Sequence, residues 1–201
     1  MNTSLRALNR FGMGAGIGEA RRLGDPREWL RAQVRVDAAE LRDHSNPPTM
    51  AEASSVLRAV QEAQQSGDEE AIRAARQRLQ VLLVRERTAS MKARVTSEAP
   101  FAERLVAFWS NHLCVSVTAK QQVVPLAGLY EREVIRPHLF GRFETMVQAS
   151  ARHPAMLLYL DNAQSVGPNS RAARVLRRRG GGERGLNENY ARELLELHTL
   201  G

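Results

Sequence analysis

The chain is poor in the residues that usually announce a function. It has one cysteine, Cys114, which excludes an internal disulfide framework and any zinc knuckle. Following an amphipathic stretch, Cys114 reads as a buried small hydrophobe rather than a nucleophile. Aromatic residues make up 5% of the chain, so a core must rest on Leu, Val, Ala and Met, within a hydrophobic content of 43%. No run of about 18 apolar residues occurs, which excludes a transmembrane helix. The first ten residues carry Arg6 and Arg10 but lead into no apolar stretch, so no secretory signal peptide is read here. There is no HExxH, no histidine pair at i, i+4, no Glu-x-x-His, no phosphate-binding loop and no Gly-x-Ser-x-Gly elbow. Gly12, Gly14, Gly16 and Gly18 alternate, but no apolar strand precedes them and their spacing is not that of a dinucleotide loop.

Lysine is nearly absent too, at Lys92 and Lys120 alone, so the net charge of +7 is carried by arginine. Residues 168–185 hold six arginines (Arg171, Arg174, Arg177, Arg178, Arg179 and Arg184) against Glu183, which accounts for five of the seven net charges. A nucleic-acid surface would spread its charge over a folded face. Here it sits beside Gly180, Gly181 and Gly182, so residues 166–185 are expected to form a flexible Arg/Gly-rich loop, and nucleic acid is not the expected partner.

What the chain has in quantity is helix grammar. A short helix is expected over 5–11. Asp25 as N-cap and Pro26 at the first helical position start another, running to about residue 36. Residues 44–50 read as a linker. Residues 51–65 and 69–96 read as a helical hairpin, with Gly67 at the left-handed stop and Asp68 as the next cap. Ile72, Ala75, Leu79 and Leu82 recur at spacings of three and four and make one stripe. Pro100 opens a helix on which Phe101, Leu105, Phe108 and His112 share a face bordered by Trp109. Helices follow over 126–135 (stopped before Pro137), 143–152, 155–160 and 188 to about 198. Residues 121–124 are the one weak strand candidate. The fold class is therefore mainly α, an irregular multi-helix bundle with little or no sheet.

Two places could carry chemistry. On the apolar stripe of the 100–112 helix, His112 stands beside Asn111. On the closing helix, Asn189, Glu193 and Glu196 share a face with Arg192 at its edge, while Tyr190, Leu194, Leu197 and His198 fall on the other. Neighbouring glutamates can share a cation or a proton. Glu193, Glu196, Arg192 and His112 are the candidate catalytic residues. His112, Asp161, Glu193, Glu196 and His198 are the candidate ligands should a divalent metal bind. Ordinary structural roles compete with these: a core histidine at His112, a capping residue at Asn187, and i, i+4 pairs for Arg192.

The order of motifs resembles the bacterial DUF1800 family, a domain of unknown function. It rests on Leu8-Asn9-Arg10-Phe11-Gly12, on Leu105 through Trp109-Ser110-Asn111-His112, and on His153-Pro154-Ala155-Met156-Leu157 through Leu160-Asp161-Asn162. It closes with Asn187-Glu188-Asn189-Tyr190-Ala191-Arg192-Glu193-Leu194-Leu195-Glu196-Leu197-His198-Thr199-Leu200-Gly201. Ser110 departs from the pattern, in which a second histidine often precedes the Asn-His pair. The resemblance implies that residues 1–201 are the N-terminal part of a longer helical domain, truncated inside its most specific block, with apolar faces left for the missing C-terminal part to cover. It carries no established activity. It implies a family whose members are often exported and are encoded beside sulfatase- or phosphatase-like proteins. Two functions stay open: a non-catalytic helical module of an exported or envelope-associated system, and an enzyme or metal-binding domain whose polar site joins the Asn-His pair to the closing helix.

Overall fold

A computed structural model describes residues 2–41, 46–178 and 185–200, with Leu200 as backbone only. Helix α1 (Thr3–Phe11) starts where the Asn2 side chain accepts the Ser4 N–H at 2.8 Å. Short helices α2 (Glu19–Arg22) and α3 (Pro26–Arg31) follow, α3 capped by Asp25 as its sequence requires. It ends five residues sooner than its periodicity suggests. The reason is Gln33, which turns inward, donates to the Trp29 carbonyl and accepts the Phe101 N–H at 2.9 Å, so it serves the N-terminus of a distant helix whose own cap residue, Ala99, offers no side-chain acceptor. A 3-10 turn, Val36–Ala39, then packs its two alanines into the core.

Helices α4 (Met50–Ser66) and α5 (Glu69–Thr96) form the expected hairpin. Thr49 and Glu52 make a reciprocal capping box. Gly67 takes the left-handed conformation at φ 69°, which costs glycine nothing, and Asp68 caps α5. Of the predicted stripe on α5, Ala75 and Leu82 are buried, and the stripe continues into Glu86 and Ala89.

Helix α6 (Pro100–His112) is followed by a 3-10 stretch, Gln121–Leu126, and not by the weak strand that the sequence suggests there. Helix α7 (Ala127–Tyr130), a π-helical turn (Glu131–Ile135) and α8 (Arg136–His138) then run on without a break. The helix thus passes Pro137 instead of stopping before it. Proline lacks an N–H and crowds the carbonyl four residues back. The π turn, with the Arg136 N–H donating to the Glu131 carbonyl, has already shifted the bonding register just ahead of it.

Helices α9 (Phe143–Arg152) and α10 (Pro154–Tyr159) meet at His153. The arginine segment is not all loop: α11 (Arg171–Arg178) is a helix, started by the Ser170 hydroxyl, which accepts the Ala173 N–H at 3.1 Å, and anchored by buried Ala173. Residues 179–184 of that segment, like 42–45 of the expected linker, lie outside the described residues. Helix α12 (Glu188–Leu195), capped by Asn187, runs into a second π turn, Glu196–Leu200.

Among the described residues there is no strand, and no helix is long and apolar enough to cross a membrane. One core runs from Ala38 to Leu160, centred on Val106, Leu113, Val123, Ile135, Met146 and Met156, with Tyr190 of α12 packed against it.

Candidate functional site

The stripe of α6 is split: Leu105 and Trp109 pack against the core and Phe101 is half-buried, while Phe108 and His112 face out. Its buried positions are Ala102, Glu103 and Val106, followed by Leu113, while Phe108 is 57% exposed and Asn111 and His112 lie at the surface. Glu103 decides this rotation. Its carboxylate is 2% exposed and forks onto the guanidinium of Arg136 at 2.8 and 3.0 Å, a pair that only the interior side of α6 can reach. The aromatic side chains also contact one another: Phe108 stacks on His112 at 6.2 Å between centroids, and the Trp109 and Phe143 centroids lie 5.3 Å apart. Cys114, just beyond, is exposed rather than buried.

His112 is nevertheless engaged. Its Nε2 lies 3.0 Å from the His198 carbonyl oxygen, and His198 Nδ1 lies 3.2 Å from the His112 carbonyl oxygen. A carbonyl only accepts, so His112 Nε2 and His198 Nδ1 each carry a proton. This fixes the tautomer of neutral His198 and leaves its Nε2 as a lone pair, buried and without a hydrogen-bond partner. His198 is 3% exposed. Burial holds its pKa below the ordinary histidine value, while the bond to the His112 carbonyl and the charge of Glu193 pull it back up. A straight helix would turn His198 away from Glu193 and Glu196. The widened turn over Glu196–Leu200 alters that geometry, and the charge of Glu193 is felt at the imidazole.

No other candidate is hydrogen-bonded to this pair. Glu193 is half-buried, but Glu196 is exposed. Arg192, also exposed, donates to Asn189 on its own helix at 2.8 Å. Asp161 sits in the left-handed region at φ 59° and pairs with Lys120 at 2.5 Å. Asn187 works as a strut, its side-chain oxygen capping α12 and its Nδ2 donating to the Leu160 carbonyl at 2.8 Å. Among the described residues, no three His, Cys, Asp or Glu side chains gather as a metal ion would require.

The densest polar cluster lies elsewhere, among residues that are not candidates by sequence pattern. The π turn of α7–α8 presents Glu131 and Arg132, and α8 adds Arg136. Arg136, 3% exposed, binds Glu103, Glu131 at 2.8 Å and the Ala39 carbonyl at 2.8 Å, which ties α6, the π turn and the Val36–Ala39 turn together. Arg94 of α5 reaches Glu131 from the other side at 3.5 Å. Arg132 donates to Glu86 and to the Pro48 carbonyl. Burial pushes the Glu86 carboxyl upward while Arg132 pulls it down, and one of its oxygens has no hydrogen-bond partner. The Glu86 carboxylate occupies the place of a missing side chain: a Cβ on Gly128 would lie 2.0 Å from it. Glu86 carries one signal in the sequence, since it follows Leu79 and Leu82 at helical spacing on an otherwise apolar stripe. Glu103, Glu131 and Arg136 gave no such sign, because charged residues on helices normally face water.

Cavities of about 240 Å³ flank this cluster on two sides, one lined by Glu103, Thr96 and Ser97, the other by Glu86, Gly128 and Arg132. Chemically the cluster is acid matched to base. The Arg132 and Arg136 guanidiniums are each spent on a carboxylate and a backbone carbonyl, which suits them to joining helices.

No curated protein and no solved structure matches the chain. A family model described as "Protein of unknown function (DUF1800)" matches residues 6–201. Spanning nearly every residue, that match identifies the chain as a member of the DUF1800 family.

Proposed function

We propose that this chain is a non-catalytic helical module, whose buried charges serve as structural joints, and that it works within an exported or envelope-associated system. The observation that carries the reading is the fate of its buried acids and bases. Glu103 and Glu131 pair with Arg136, Glu86 pairs with Arg132, and both arginines also reach main-chain carbonyls. A networked charge cluster of this kind specifies which helices meet. The exported setting and a co-encoded sulfatase- or phosphatase-like partner rest on the family resemblance alone. The continuing part of the same domain is the other partner proposed. Exposed Phe108, Leu195 and Leu197 give it apolar surface to cover.

A second reading keeps a polar site at His112, His198 and Glu193. The bare, buried Nε2 of His198 favours it. Metal analysis of the purified protein, beside His112→Ala and Glu193→Ala variants, separates the two readings. The module reading expects no stoichiometric divalent metal in any of the three. One metal per chain, lost in either variant, would replace it with the second.

A further inference from the structure

His153 stands at the joint between α9 and α10 and is 7% exposed. Its Nδ1 accepts the Ala155 N–H at 3.1 Å, the N-terminal cap of α10. An acceptor at Nδ1 puts the proton of the neutral ring on Nε2, which lies 3.3 Å from the Glu133 carboxylate. The ring edge rests against Tyr130 at 5.3 Å, whose hydroxyl is shared with Ser150 at 2.7 Å. On either side of His153 the chain holds the closing helix. The Ala151 carbonyl accepts the Tyr190 hydroxyl at 2.5 Å, and the Leu160 carbonyl accepts the Asn187 side chain.

We propose that His153 is a proton-operated latch: a proton on Nδ1 removes the cap of α10, loosens the α9–α10 corner, and releases α12 and the turn after it from the body. The physical conflict is direct. A protonated Nδ1 would point a hydrogen at the Ala155 N–H, donor against donor, and the buried joint offers that proton no other acceptor among the described contacts. The groups facing the ring are Glu133 on the π turn and the Tyr130 phenol on α7. Arg152 of α9 is exposed beside it, α10 carries no charge, and Lys120 with Asp161 closes the far end of α10. The Tyr190 phenol is the group that α12 brings to this corner. Burial holds the His153 imidazole below the ordinary histidine value, with Glu133 opposing. The docked state therefore binds a proton less readily than the released state, in which the ring returns to about 6.5. The latch is closed above that value and opens as pH falls below it.

The test is hydrogen exchange of residues 186–200 at about pH 7.5 and about pH 5, corrected for intrinsic rates, in the native chain and in His153→Asn. Asparagine keeps a capping oxygen and does not titrate. The opening of that segment should rise about fivefold on acidification in the native chain, the factor that loss of one helix cap represents, and by less than about twofold in the variant. An equal rise in His153→Asn, which would shift the effect to His198, overturns the proposal, as does no rise in the native chain. Should the variant fail to fold, the nitrogen shifts of His153 decide the matter: its protonation midpoint must coincide with that of segment opening, and separate midpoints overturn the latch.

Discussion

His112 and His198 each donate a ring N–H to the other's main-chain carbonyl, a reciprocal clasp that fastens the last described turn to the end of α6. Each imidazole anchors the other residue's backbone, so losing one ring frees the segment that the second holds. His112→Ala and His198→Ala should each destabilise the protein by about 1–2 kcal/mol, with the double variant costing clearly less than their sum. Urea unfolding of all four proteins measures this. Strictly additive costs would mean that the two contacts are independent.

The pair Arg136–Glu103 makes a larger prediction. Removing Arg136 leaves Glu103 as an uncompensated buried charge, so Arg136→Met should cost about 3–5 kcal/mol, and Glu103→Leu, after which Arg136 keeps Glu131, should cost less. The combined Arg136→Met/Glu103→Leu protein should recover much of that loss, although Glu131 is left with Arg94 alone. Thermal unfolding midpoints provide the check; a double variant no better than the worse single one would contradict it.

At Gly128 the reasoning is steric. An alanine methyl would meet the Glu86 carboxylate far inside van der Waals contact, so the side chain or the helix must move. Gly128→Ala should cost about 1–3 kcal/mol. The same change made in a Glu86→Ala background should cost far less, because the obstructing carboxylate is gone. Equal costs in the two backgrounds would show that the clash is not with Glu86.

Glu52 offers a prediction in pH. The Arg85 guanidinium beside it, with the Thr49 backbone N–H, holds its carboxyl at about 2, against an ordinary value of 4.5. A depressed carboxyl favours the folded state above its ordinary value and loses that contribution as pH falls from there toward about 2. In an NMR titration, Arg85→Gln should bring the Glu52 midpoint back toward 4.5. A midpoint unmoved by that substitution would assign the shift to some other cause.

Much of the molecule was legible one helix at a time. The α4–α5 hairpin, its Gly67 stop, the Asp25 and Asp68 caps and the Asn187 cap all follow from contacts between residues a few positions apart, which is the range over which sequence patterns act. The interior was not legible in that way. Periodicity placed Phe101, Leu105, Phe108 and His112 on one face but could not say which of them the core would take: Leu105 packs against it and Phe108 is exposed. The bond between Glu103 and Arg136, 33 positions apart, chose. The expected site fared likewise. Its His112 and His198 do meet, 86 positions apart, but by gripping each other's backbone rather than by aiming side chains at a common ligand.

By itself, then, the sequence determined the helical class, the family, most helix starts and the polar character of the closing segment, because propensity, capping and motif order are written in neighbouring residues. Tertiary structure alone decided which charges went inside, why the chain passes through Pro137, and where His153 and His198 became buried. Those outcomes depend on partners from distant segments, whose combined attraction outweighs the local cost of π turns and desolvated ions.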